Sequence, residues 1–501
     1  MIPHIPKQLV ALGLLAAAAC ADAQPLLTAY TASNAGNPGA APGVDLVRHT
    51  IGSPLATCND GTPALAYVQA GVGAAANNWI IFLEGGGSCG NGQECMDRWQ
   101  SYQTAYGLQK MSTRIPRATW DAWYPPGGPG AGPPTGWTLQ GADYAMPAGI
   151  VGSGILSTAP ANPFANWTKV YANYCSSDTW TGRQQSVPLS AINRRGGAGV
   201  AYTIHFHGAH IFDGLIADLR TGVAPCMGPG GFNCQALPSL NVANKVFLAG
   251  SSAGGVGVLH NVDLLRARQQ LVNPATQVRA IIDGASVPPS QSLPWPAVAT
   301  AAQPYTSYQQ MIDARWNGTY MPLWQARVDA SCLAENAAVP SRCADPAHVL
   351  RHHLTSPFFV RQDQQDSLIV TDVWRPFFPA PPYPALTAEL DLSTRTVAHL
   401  GELSNMIALL TPRYVNELAT IAADPQWLAP TLFGHRCGNH TGLTGGVTYY
   451  NQELPLGGVL LDLADALGIW AAAAPAGIGG PPATLMVAPV GAGPIAGAPC
   501  T

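Results

Sequence analysis

The sequence predicts an α/β chain: a mostly parallel sheet with helices on both faces and long loop insertions. Two observations carry this. Apolar runs such as Trp79-Ile80-Ile81-Phe82-Leu83, Lys245-Val246-Phe247-Leu248-Ala249 and Gln277-Val278-Arg279-Ala280-Ile281-Ile282 alternate with stretches of helical period. That is the pattern of strands buried on both faces and joined by helices. The second run leads straight into Gly250-Ser251-Ser252-Ala253-Gly254. A G-x-S-x-G between a strand and a helix permits the strained turn of an α/β-hydrolase, which leaves the serine hydroxyl exposed above a helix N-terminus.

Taken in order, residues 1–23 read as a signal peptide: Lys7, an apolar stretch from Leu9 to Ala19, then Ala21-Asp22-Ala23 before Gln24. Processing as a lipoprotein at Cys20 is the rival. The apolar run is too short for a retained membrane helix, which needs ~20 residues. Residues 24–50 read as an extended N-terminal segment, and 51–501 as one catalytic domain. The first strong strand, Trp79 to Leu83, ends at Glu84-Gly85-Gly86-Gly87, and the Pro/Gly stretch from Tyr124 to Trp137 reads as a surface insertion. Lys169-Val170-Tyr171 and Tyr202-Thr203-Ile204 are further strands. Ile211, Leu215, Ile216 and Leu219 mark a helix near 211–220. Beyond the elbow come a helix over 256–270, the strand ending at Asp283, a strand at Pro357-Phe358-Phe359-Val360 and long helical periodicity over 386–419. The tail from Ala471 to Thr501 reads as coil with one short strand over 483–487. In such a sheet, chemistry belongs at the carboxyl ends of the strands.

Charged residues make up only 10% of the chain, and the net charge of −4 comes with no long basic run. That argues against nucleic acid as a partner. Of eleven cysteines, Cys20 falls within the signal, and the even remainder suits disulfides in a secreted or periplasmic protein. Cys89/Cys95, Cys226/Cys234 and Cys332/Cys343 would close short loops. No C-x-x-C occurs, which argues against zinc ribbons and thioredoxin-like redox motifs.

A serine hydroxyl is a poor nucleophile without a base to take its proton and an acid to fix that base's tautomer. The expected order is Ser, Asp or Glu, then His. Of the downstream histidines, His260, His348, His352, His353 and His399 sit in helical or strand-flanking contexts and read as structural. His440 and His435 lie in a Gly-rich loop, where the base belongs. His440 is preferred, because Cys437 could anchor its loop. Asp283, Asp363, Asp366 and Asp372 all follow strands and stay open as the acid, although a turn or helix-cap role is the commoner fate of any one Asp. Oxyanion donors would come from Ala253 and from Gly85-Gly86-Gly87, with Glu84 structural. His205-Phe206-His207-Gly208-Ala209-His210 has metal-ligand types, but Ala209 stands where such motifs carry Asp. It reads as strand-end histidines. Ser251 reads as a packing neighbour and Cys437 as a disulfide partner.

Six ordered segments are similar to one family. Cys58-Asn59-Asp60-Gly61, Phe82-Leu83-Glu84-Gly85-Gly86-Gly87-Ser88-Cys89, Gly154-Ile155-Leu156-Ser157, Tyr174-Cys175-Ser176-Ser177-Asp178, Ala249 to Gly255 with Asn261-Val262-Asp263, and Cys437-x-x-His440 together resemble the pectin acetylesterase/Notum family. The resemblance implies a secreted serine carboxylesterase on an α/β-hydrolase-like fold. It implies Ser252 as nucleophile, His440 as base, Asp366 as acid with Asp363 as fallback, and Gly86, Gly87 and Ala253 as oxyanion donors. It implies neither cofactor nor metal, and as partner an acylated carbohydrate or other ester. Deacetylation of a polysaccharide such as pectin is the leading expectation, with fatty-acyl (Notum-like) hydrolysis the alternative. A metallohydrolase or a binding module with a dead triad ranks below both. Ser88 departs from the Trp that the plant enzymes place there, and Gly87 from the Trp of Notum, so the pocket wall here is smaller than in either branch.

Overall fold

The computed structural model describes residues 46–101, 107–126, 132–134, 136–194, 196–222, 237–285, 297–299, 304–363, 366, 431–434, 439–445, 449–450, 454–456, 459–473 and 484–487. The signal segment, 386–419, Cys20, Cys226, Cys234, Asp372, His399, His435, Cys437 and Cys500 lie outside them.

Ten strands form the main sheet. They are β1 (Leu46–Thr50), β2 (Leu65–Gln69), β3 (Asn78–Leu83), β4 (Gly149–Ile150), β5 (Thr168–Ala172), β6 (Lys245–Ser251), β7 (Gln277–Asp283), β8 (Phe358–Arg361), β9 (Thr431–Gly434) and β10 (Thr484–Val487). Their spatial order is β10-β9-β8-β7-β6-β3-β5-β2-β1-β4. From β10 to β5 every pairing is parallel, whereas β2, β1 and β4 add on antiparallel. The expected mostly parallel sheet is therefore present, with β6 inside it and an antiparallel edge the sequence did not announce.

Alternation along β3 and β6 explains why these segments read as continuous apolar runs. Trp79, Ile81, Leu83, Val246 and Leu248 pack on one face, with Val258 and Leu259. Ile80, Phe82, Phe247 and Ala249 pack on the other, with Leu467 and Trp470. Helices α2 (Gly208–Thr221) and α3 (Ala253–Val272) thus cover the first face, and α7 (Leu463–Ala472) the second; shorter helices α1 (Gly92–Trp99), α4 (Tyr308–Arg315), α5 (Ala330–Glu335) and α6 (Pro346–His352) add Cys95, Met311, Cys332 and Val349 to the first-face cluster. None of the described helices is long and apolar enough to cross a membrane.

Tyr202-Thr203-Ile204 is a strand as expected: it lies in Gly199–Phe206, which among the described residues pairs with Gln184–Ile192 as a hairpin apart from the main sheet. Its alternating exposed positions mark a strand with one solvated face. Among the expected short disulfides, Cys89–Cys95 and Cys332–Cys343 are formed. A third, Cys58–Cys175, joins residues 117 apart.

Candidate active site

The elbow follows from small residues. A Cβ on Gly254 would overlap the carbonyl oxygen of Leu83, and one on Gly250 would overlap that of Gly254, so β3, β6 and α3 meet with no room for larger side chains. Ser252 takes φ +56° and ψ −122°, a conformation that costs a non-glycine residue about 1–3 kcal/mol. Its N–H donates to the carbonyl of Asp283 at 2.8 Å. Ala253 opens α3, so its N–H is one of the free donors of a helix N-terminus.

The glycine loop after β3 lies against this turn. A Cβ on Gly85 would overlap the Ser251 carbonyl oxygen and stand 2.9 Å from Cβ of Ser252. Gly86 and Gly87 have φ of +141° and +68°, a region open to glycine. Arg98 holds the loop from behind. One guanidinium nitrogen donates to the Gly86 carbonyl and Nε donates to Ser177 Oγ at 2.9 Å. Glu84 pairs with Lys110 and accepts the Tyr174 N–H at 2.8 Å, which fits its expected structural role.

His440 and Asp366 come together: Nδ1 of the imidazole and Oδ2 of the carboxylate are 2.8 Å apart. Asp366 Oδ2 also accepts from Gln362 Nε2 at 2.6 Å. The imidazole passes beside Gly284, where an added Cβ would lie 3.4 Å from its Cε1. Gly284 directly follows Asp283, whose carbonyl binds Ser252. Nε2 of His440 is buried and has no hydrogen-bond partner among the described residues. The Ser252 hydroxyl is therefore not bonded to it in this arrangement; in unliganded enzymes such contacts commonly tighten only around substrate.

The other acid candidates do different work. Asp363 pairs with Arg361 at 2.7 Å and accepts the Asn439 N–H at 3.1 Å. Burial raises its carboxyl to about 7 against the pull of Arg361, helped by the negative charges of Asp283 and Asp366. Asp283 accepts the Ser251 hydroxyl at 2.6 Å and the N–H groups of Gly442 and Leu443 at 2.9 and 3.1 Å, and also meets Arg361. Arg361 itself is fully buried and donates to the carbonyls of Asn439 and His440. This clamp fastens the histidine loop to β7 and β8. Sequence reasoning missed it: nothing local ties Asp283 to residues some 160 positions away.

A cavity of about 440 Å³ has Ser88, Val256, Met311, Arg315, Trp324 and Asp345 in its lining, which does not include Ser252 or His440. Ser88 directly follows the glycine loop, and Val256 lies one turn along α3, its N–H on the Ser252 carbonyl. The three histidines of the 205–210 motif do not converge on one point. His207 Nδ1 lies 2.8 Å from Thr57 Oγ1, His205 Nδ1 accepts the Ser186 N–H, and their ring centroids are 5.3 Å apart.

A family model described as Pectinacetylesterase matches residues 43–117 and 137–474. The break between the two ranges falls where the Pro/Gly insertion was expected. Among curated relatives, the palmitoleoyl-protein carboxylesterase NOTUM of Schmidtea mediterranea is 24% identical over 404 residues, covering 79% of this chain and 58% of the relative. The human protein of that name is 31% identical over 242 residues, or 48% of this chain and 36% of the relative. The matches thus span between about a third and three fifths of these relatives' lengths. The crystal structure of the Wnt deacylase Notum from Drosophila superposes with a TM-score of 0.55 at 22% identity, covering 85% of this chain and 92% of that one. The α/β-hydrolase-like fold is shared with it.

Proposed function

The chain belongs to the pectinacetylesterase family, and from that premise we propose that it is a secreted serine carboxylesterase that removes acetyl groups from a polysaccharide such as pectin. The observation that carries the reading is the strained Ser252 elbow beside a half-buried His440 whose Nδ1 is already engaged by Asp366.

In this mechanism the Ser252 hydroxyl attacks the ester carbonyl as Nε2 of His440 takes its proton. Asp366 keeps the Nδ1–H tautomer in place and stabilises the imidazolium. The N–H groups of Gly86, Gly87 and Ala253 receive the oxyanion, a task worth ~3–4 kcal/mol per donor in comparable sites. Collapse breaks the bond to the sugar oxygen, which takes the proton from His440. Water, deprotonated by the same imidazole, then releases acetate from Ser252. No cofactor takes part.

Cavity chemistry supports a small acyl group on a polar carrier. Ser88, Glu94, Thr179, Arg315 and Thr319 line it, groups that a long acyl chain would strip of water at a cost and that sugar hydroxyls would satisfy. A second reading, fatty-acyl hydrolysis, draws on the relatives' name and on Val256, Met311, Ile312 and Trp324 in the same wall. Ser252→Ala should abolish hydrolysis of p-nitrophenyl acetate and labelling by a fluorophosphonate while leaving the circular dichroism spectrum unchanged; undiminished turnover would dismiss the mechanism. A panel of esters of rising acyl length, run beside acetylated pectin and xylan, decides the substrate. Failure on both glycans with good turnover of long chains would favour the second reading.

A further inference from the structure

Away from the elbow, two imidazoles face each other edge on. Nε2 of His348, on α6, and Nε2 of His353, just beyond it, are 3.2 Å apart. His353 is buried, and His348 is half-buried. The tautomer of His353 follows from its neighbours. Ser331 Oγ donates its single proton to Oδ1 of Asp329 at 2.6 Å. Ser331 Oγ can then only accept from Nδ1 of His353, 3.3 Å away. Nδ1 of His353 therefore carries the proton, and Nε2 presents a bare lone pair to His348.

We propose that His348 and His353 form a binding site for a zinc-like divalent cation, held between their two Nε2 atoms. At a Zn–N distance of ~2.0–2.1 Å and a tetrahedral angle, two ligating nitrogens stand about 3.3 Å apart, which the present spacing of the two Nε2 atoms meets, with the Asn336 amide giving way to the ion. A ligating histidine characteristically gives its other ring N–H to an oxygen that fixes its orientation. Ser331, backed by Asp329, does this for His353, and Oε2 of Glu335 lies 3.9 Å from the same nitrogen. The Asn336 amide nitrogen lies 3.3 Å from one Nε2 and 3.4 Å from the other, so an amide donor occupies the spot where a cation would serve both lone pairs. The Sγ of Cys332 belongs to the same cluster, but it is bonded to Cys343 and offers no thiolate. Among the described residues, no other group of three such donors converges as closely. A cation here would be held by α6 and the residue just after it, with α5 contributing only Ser331 behind His353; the first residue of α6, Pro346, lines the cavity together with Ala344 and Asp345.

The test uses tag-free, chelator-stripped enzyme under non-reducing conditions, with zinc chloride titrated by calorimetry and Tm followed in parallel. One saturable site per chain and a zinc-dependent rise in Tm are expected. His348→Gln and His353→Gln should each weaken binding at least ~10-fold, the lower end of what losing even an outer-sphere partner costs. Asn336→Asp, which supplies an anionic oxygen where the amide stood, should tighten it. His348→Gln sits at a half-buried position and is expected to keep the zinc-free Tm, so loss of binding there is not misfolding. No saturable binding by the wild type, or equal binding by wild type and both histidine variants, would overturn the proposal and leave the pair as an imidazole–imidazole hydrogen bond.

Discussion

Gly442 donates its backbone N–H to Oδ2 of Asp283 at 2.9 Å, the same oxygen that accepts the hydroxyl of Ser251. One carboxylate thus holds both the residue before the nucleophile and the loop that carries His440. Removing one partner of a buried charge network typically costs about 3–5 kcal/mol. Asp283→Ala should therefore lower the Tm and also cut kcat, with Asp283→Asn intermediate. Urea denaturation and steady-state kinetics on p-nitrophenyl acetate check both. A variant with normal stability and normal kcat would mean that the clamp is idle.

Asp366 and Asp363 are three residues apart yet should behave differently. Asp366→Asn removes the acceptor of Nδ1 and should reduce kcat by up to ~10⁴-fold, as wrong-tautomer variants of serine hydrolases do, with KM little changed. Among the described residues the Asp363 side chain meets Arg361 and the Asn439 N–H, so Asp363→Asn should cost no more than ~10-fold. The reverse order would move the acid to Asp363.

Asp363 should also leave a mark on stability as pH changes. Its carboxyl is raised to about 7 by burial, against about 3.9 in an unfolded chain. Between those values the native state binds the extra proton. The group's contribution is therefore complete below the lower value and fades as pH climbs through the higher one. In Tm measurements from pH 4 to pH 8, the difference between wild type and Asp363→Asn should shift against the wild type with rising pH. A constant difference would show that the carboxyl is ionised throughout.

Gly85→Ala is expected to be the harshest single-methyl change in the glycine loop. The new Cβ would press on the Ser251 carbonyl and on Ser252 itself, and at least a 100-fold loss of kcat should follow, since such a loss needs only about 2.7 kcal/mol. Gly87→Ala meets only Arg98 at 3.5 Å, although at φ +68°, and should cost less. Kinetics of the two variants side by side give the ranking.

Legibility differed by element for physical reasons. β3, β6 and β7 were visible because strands buried on both faces leave unbroken apolar runs. The 199–206 strand was also legible, although composition does not say which sheet a strand joins. His440 was preferred from its Gly-rich loop and Asp366 was named through the resemblance, and the 2.8 Å contact between them is what loop order alone could not have selected over Asp283. Cys89–Cys95 and Cys332–Cys343 were legible from spacing, whereas Cys58–Cys175 was not, because nothing local marks two residues 117 apart. The paired histidines 348 and 353 read as ordinary helix residues, and only the backbone turn after α6 sets them face to face.

The Cys58–Cys175 bond has a practical consequence for whoever produces this protein. Cys175 is followed by Ser176 and Ser177, and it is Ser177 that steadies Arg98, which in turn grips the carbonyl of Gly86. Material made in a host cytosol rich in glutathione would lack that tether, and its glycine loop would be loosely set even if the sheet assembled. Expression routed through an oxidising compartment, or refolding in a thiol–disulfide buffer, should thus yield preparations of higher specific activity than cytosolic batches of equal purity.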